Sequence, residues 1–169
     1  MLDASKERDK EAVAVHNEEA SNREALMQQL VLKLAFLELC GWIEITLDDI
    51  YLSIGKTKIE TGLIERHINK CYSFNSQSLI SNLKYCLGED KYKLLKGKCE
   101  NSNEGIKYKN TFLKTLDNLS EYRNQYAHTC FDITALPGGQ LGIDEIYKNF
   151  IYLLKVLNRL DKYLGQINN

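Results

Sequence analysis

Proline is almost missing from this chain of 169 residues, with Pro137 the only one. Proline removes a backbone donor and clashes with the preceding helical turn, so its scarcity leaves long helices uninterrupted. Period-two alternation of apolar and polar residues between turn signals is also missing, which leaves no recognisable strands. The cysteines Cys40, Cys71, Cys86, Cys99 and Cys130 are widely spaced and form no CxxC pair. That excludes a zinc knuckle or a thioredoxin-like motif and predicts buried free thiols in a reducing cytosol. The most apolar segment, Leu30 to Ile45, is broken by Lys33, Glu38 and Glu44 and does not read as a membrane span. The start of the chain, Leu2-Asp3-Ala4-Ser5-Lys6-Glu7-Arg8, lacks the apolar stretch of a secretory signal. The expected protein is all-α, cytoplasmic and without membrane contact.

With 44% hydrophobic and 27% charged residues, the composition is that of an ordinary globular protein of one domain. Net charge is −1, but it is unevenly spread. Residues 1–60 carry 7 basic and 12 acidic side chains, whereas residues 84–114 carry 8 lysines against 4 acids. Tyr85, Tyr92 and Tyr108 are interleaved with those lysines, a mixture suited to a phosphate backbone with stackable bases. Lys91, Lys93, Lys96 and Lys98 are therefore candidate RNA contacts. A solvated helix face with lysine stems and tyrosine rings along its edge explains the same residues.

Residues 1–20 are charged and alanine-rich and read as an extension, helical or mobile. Ser21-Asn22-Arg23-Glu24 matches a capping box that would open the domain proper, residues 21–169. Leu26, Leu30, Leu34, Leu37, Leu47, Ile50 and Ile54 then predict the apolar stripe of a long helix, bent near Gly41 and ending at Gly55. Further helices are expected over Ile59–Tyr72, Gln77–Leu87, 89–99, from Ile106 through Ala127, and from a cap at Asp144 to Leu164. The loop Phe131 to Gly142, with Pro137-Gly138-Gly139, separates the last two. The fold class is a helical bundle of four to six helices.

Most motif matches fail on chemistry. Gly55-Lys56-Thr57 imitates the tail of a phosphate-binding loop, but Ile50 stands where the loop needs glycine. Ser81-Asn82-Leu83-Lys84 matches S-x-x-K in a chain too small for the enzymes that use it. His67 and Cys71, at i and i+4, have no further metal ligands nearby, so no metal or other cofactor is expected. Glu44 and Asp48 are likewise an i, i+4 pair, read as a solvated helix face rather than an acid–base couple.

One constellation survives. Arg123-Asn124-Gln125-Tyr126-Ala127-His128 sits near the end of an amphipathic helix that begins Leu116-Asp117-Asn118-Leu119-Ser120-Glu121-Tyr122. This segment resembles the signature helix of HEPN domains, in which an arginine followed by a polar residue precedes a histidine by four to six positions. The following loop, the long final helix and the early helix around Trp42-Ile43-Glu44 resemble the same family, the branch linked to prokaryotic RNA-targeting defence. About 145 residues, from Ser21 to Gln166, fit that fold; only the six-residue motif is specific. The resemblance implies an all-α homodimer in which two copies of the motif meet. It also implies a toxin or abortive-infection ribonuclease, with a cognate antitoxin or defence partner. Cys130 stands where the variant modified by a nucleotidyltransferase antitoxin carries tyrosine, and Thr129 replaces a frequent glycine. That mode of modification is therefore not implied.

The chemistry stands without the family name. RNA, unlike DNA, carries its own nucleophile in the 2′-hydroxyl, so cleavage needs proton transfer and charge stabilisation. His128 can exchange protons near neutral pH. Arg123 stays cationic and can hold a phosphate oxygen as charge develops. Asn124, four residues before His128, would orient the ring or touch the phosphate. Glu44 and Tyr126 are candidate supporting residues. Arg123 and His128 are about 140° apart round an ideal helix, so one chain aims them poorly. A surface arginine and a histidine favouring a helix C-terminus remains the alternative.

Overall fold

The structure, a computed structural model, describes residues 2–55, 61–70, 73–101, 111–128 and 142–168. Among these, every regular element is a helix: α1 (Leu2–Gly55), α2 (Thr61–Ile68), α3 (Ser76–Leu87), α4 (Glu89–Asn101), α5 (Leu113–His128) and α6 (Ile143–Asn168). The expected all-α class holds, and no described helix is long and apolar enough to cross a membrane. The loop with Pro137-Gly138-Gly139, together with Cys71, Tyr108, Thr129 and Cys130, lies outside the described residues.

The capping-box expectation at Ser21 is corrected. α1 begins at Leu2 and passes through Ser21 without interruption. No glycine or proline occurs before Gly41, and Ala, Glu, Lys, Arg, Gln and Leu dominate that stretch, so helix propensity runs unbroken through the motif. A capping box marks a helix start only where something ends the helix before it. At 54 residues α1 extends for roughly 80 Å at about 1.5 Å per residue.

The apolar stripe of α1 is corrected too. Its buried side chains are Phe36, Leu39, Cys40, Ile43, Leu47, Ile50, Tyr51 and Ile54. Leu47, Ile50 and Ile54 were expected. Leu26 and Leu34, expected in the same stripe, are 41% and 60% exposed. At about 100° per residue, positions 26, 30 and 37 lie roughly 80–120° round the helix from the centre of the buried face, where Leu37 still packs partly against the core, and position 34 lies about 160° round. Met27, Val31, Leu34 and Ile45 form a second apolar face, opposite the core and exposed to solvent.

Local chemistry sets the other boundaries. Asn75 caps α3 by accepting a hydrogen bond from the Ser78 amide at 2.8 Å, and Asp117 of α5 accepts from the Ser76 amide and hydroxyl. Gly88, at φ 80°, ends α3 by donating its amide to the Lys84 carbonyl. α2 ends sooner than expected, at Ile68, where the Asn69 and Lys70 amides turn back onto Glu65 and His67; the expected start at Ile59 lies outside the described residues. Asp144 does not cap α6. The Gly142 carbonyl takes the Glu145 and Ile146 amides, leaving Asp144 in the first turn, where its charge suits the helix dipole.

The helices enclose one core. Phe36, Ile43 and Leu47 of α1 belong to it with Leu79 and Leu83 of α3, Leu116 of α5 and Leu153, Leu157 and Leu160 of α6. α1 packs on α2, α3, α5 and α6, so its second half is the central post of the bundle. Cys40, Cys86 and Cys99 are buried free thiols, as expected.

Candidate active site

One face of α5 is apolar: Phe112, which precedes it, and Leu116, Leu119 and Tyr126 are buried. At helical spacing Arg123 falls on that face, not on the solvent side. Its guanidinium therefore meets α1, where Nη2 pairs with Glu44 Oε1 at 3.5 Å. Both partners are about one-third exposed, at 37% and 35%, so the pair sits at the mouth of the core. Tyr126 lies three residues on, its ring 5.1 Å from Phe36 of α1. That contact locks the turn of α5 that carries Arg123. Two of the sequence candidates, Glu44 and Tyr126, thus act on the arginine segment.

Arg123 and Glu44 line a cleft of about 610 Å³ between α1, α5 and the α2–α3 region. Asp48, one turn from Glu44, lines the same cleft, as do Tyr51, Phe74 and Asn82. The i, i+4 carboxylates read as a solvated face are instead half-buried on a shared wall. Burial pushes the Asp48 carboxyl above its ordinary range, with Glu44 and then Asp49 adding repulsion. Under Glu44, Cys40 is pushed up to about 12 by burial and by Glu44, against the lowering influence of Arg123. That thiol is inert at neutral pH.

Asn82 is 3% exposed, and its Oδ1 meets no hydrogen-bond partner although it lines the cleft. A buried amide oxygen without a partner is costly, so this residue stands out. Sequence reading passed over it because an asparagine in Ser81-Asn82-Leu83-Lys84 looks like helix filler. Its place at i+3 from Leu79, within an apolar run, was the available signal.

None of the remaining candidates whose side chains are described lines the cleft. Asn124 is exposed and is not among the described residues that line the cleft. His128 ends α5, and its side chain lies outside the described residues. None of the four candidate lysines lines the cleft. Lys91 donates to the Ile167 carbonyl at 2.8 Å and Lys98 to Gln166 Oε1 at 3.2 Å, tying α4 to the negative end of α6. Lys93 lies 4.0 Å from Asp90 on an exposed surface, and Lys96 is also engaged. Tyr92 is buried with Lys84 5.3 Å from its ring centre, and Tyr85 stacks on His67 at 3.9 Å. Tyr92 is therefore no stacking platform for bases, and one face of the Tyr85 ring is taken by His67.

Searches against protein-family models, curated proteins and solved structures return no match.

Proposed function

We propose that this chain is a HEPN-type, metal-independent endoribonuclease that acts as a homodimer. Arg123 stabilises the scissile phosphate, His128 transfers the proton, and Asn124 assists. The products are a 2′,3′-cyclic phosphate and a 5′-hydroxyl. The observation that carries the reading is the Arg123–Glu44 pair at the mouth of the cleft. Arginine has five donors in a fixed fork, so one carboxylate can aim the guanidinium while the remaining N–H groups stay available to a phosphate.

Arg123 shares a face with Leu116 and Leu119, while His128 falls about 140° away at helical spacing. Two copies are needed to bring one chain's histidine to the other's arginine. The exposed apolar face of α1, with Met27, Val31 and Leu34 each more than half exposed, supports association with a second helix. The cellular role in this reading is that of a toxin or abortive-infection effector held in check by a partner protein.

RNA incubated with the purified chain in excess chelator tests the proposal. Cleavage that disappears in Arg123→Ala and His128→Ala, with cyclic phosphate ends, is the expected result. No cleavage across several RNA classes rejects it. A second reading draws on a specific observation: Glu44 and Asp48 make the cleft acidic, which opposes a polyanion. In that reading the fold is a non-catalytic interaction module, and the same assay separates the two.

A further inference from the structure

The outer face of α1 is apolar in its middle and charged at both ends. Arg23, Met27, Val31, Leu34 and Glu38 follow one another in steps of three or four and fall within about 40° of one line along the helix. That line runs opposite the buried face. All five side chains are exposed, and Met27, Val31 and Leu34 are each more than half exposed. Among the described residues neither Arg23 nor Glu38 has an ion-pair partner.

The order of the row, cation to apolar to anion, selects what can cover it. A second α1 laid alongside in the same direction sets Arg23 on Arg23 and Glu38 on Glu38, and like charges in contact oppose association. Laid in the opposite direction, about a two-fold axis between Leu30 and Val31, each residue faces the one equally far beyond the axis. Arg23 then meets Glu38, Met27 meets Leu34 and Leu30 meets Val31, and every contact occurs twice, as an isologous interface requires. The same register sets Ala20 against Gly41, two small residues at which the backbones can approach. A lipid surface fits less well. Residues 17–38 hold four glutamates against one arginine and one lysine, whereas helices that lie on anionic membranes are rich in lysine and arginine.

We propose that the outer face of α1 is a self-pairing surface, on which two copies of the chain lie antiparallel through Met27, Val31 and Leu34, with Arg23 of each copy against Glu38 of the other. In this register Glu44 lies opposite Asn17 of the second copy. The two Arg123–Glu44 pairs then stand roughly 40 Å apart along the axis, at about 1.5 Å per residue. The α1 contact therefore joins copies without closing a site between them. A chain that also pairs its arginine-to-histidine segments assembles beyond a dimer. The inference stands apart from the ribonuclease reading.

The test is sedimentation equilibrium of the full chain across a concentration series, where reversible self-association is expected. Arg23→Glu and Glu38→Arg should each raise its dissociation constant at least about tenfold, since each pair of copies then holds two like-charged contacts. The double variant Arg23→Glu/Glu38→Arg re-forms both contacts with the signs exchanged and should return close to the unsubstituted chain. Both positions are exposed, so circular dichroism should be unchanged throughout. Oxidative cross-linking reads the direction. A Met27→Cys chain mixed with a Leu34→Cys chain should cross-link beyond the unsubstituted chain, and Leu34→Cys by itself should not. A chain that stays monomeric, single swaps without effect, a double variant as weak as the singles, or Leu34→Cys cross-linked to itself overturns the proposal. A monomer that binds phosphatidylcholine vesicles through this face overturns it too and assigns the face to lipid. Self-association that follows the charge swaps in a chain that cuts no RNA supports the proposal and sinks only the ribonuclease reading. RNA cleavage by a chain whose association ignores the swaps does the reverse.

Discussion

The two halves of α1 are one continuous helix with opposite environments. Residues 17–28 are exposed on every side, whereas Phe36 to Ile54 supply eight buried side chains to the core and one wall of the cleft. Propensity accounts for the first half: strong helix formers and no breaker before Gly41. Packing accounts for the second, where α2, α3, α5 and α6 all bear on the same element. The comparison teaches that continuity of a helix says nothing about continuity of its burial. A helix this long with apolar residues on opposite faces has used only one of those faces in its own bundle.

Substitutions can break the comparison at either end. Ile43, fully buried, is the position where the largest loss is expected: Ile43→Ala should lower unfolding free energy by about 2–5 kcal/mol in chemical denaturation. Val31→Ala, at a position 58% exposed, should change it by less than about 0.5 kcal/mol. Equal losses would mean that the first half is packed as tightly as the second.

The apolar face of the first half gives the next test. Replacing Met27 and Val31 together by glutamate should leave the thermal transition of the monomer nearly in place but shift sedimentation toward the smaller species. A chain that sediments identically before and after refutes a role for that face in pairing.

Helix starts discriminate more finely. Asn75→Ala removes a side chain that caps α3 and should cost about 1 kcal/mol. Ser21→Ala, in the middle of α1, should cost nothing and gain a few tenths through propensity. A loss at Ser21 comparable to that at Asn75 would restore a helix start there.

Asp48 offers a dependence on pH. Its folded pKa is raised, so below about pH 3.9 both folded and unfolded chains hold the proton and no penalty exists. As pH rises the unfolded chain ionises first, and stability falls until the folded group ionises as well. Asp48→Asn should therefore raise the melting temperature near pH 7 and give no gain near pH 3. A gain independent of pH would point to a packing effect.

Much of the fold was legible because local chemistry governs it. Gly88 stops a helix, the cluster around Asn75 starts one, and Leu153 to Leu164 mark the inner face of α6 at helical spacing. The site was legible only in part. Arg123 stood out through its motif, and Glu44 through its place in the early helix. Their contact at 3.5 Å depends on the azimuth of α5 against α1, which periodicity in either helix alone leaves open. Asn82 was not legible, since an unpaired amide is defined by what its neighbours fail to offer. The pairing of Glu44 and Asp48 was visible at i, i+4, but burial reversed its meaning from a solvated face to a cleft wall.

Helix content and the identity of the arginine-to-histidine segment follow from the sequence by itself, because propensity, capping and spacing are properties of neighbours along the chain. Which face of α1 is buried, that Arg123 turns inward to Glu44, and that Asp48 and Asn82 confront one cleft were decided only by tertiary structure. Those facts require α1, α3 and α5 to be set at particular rotations about their axes, and only the mutual packing of side chains from distant segments sets them.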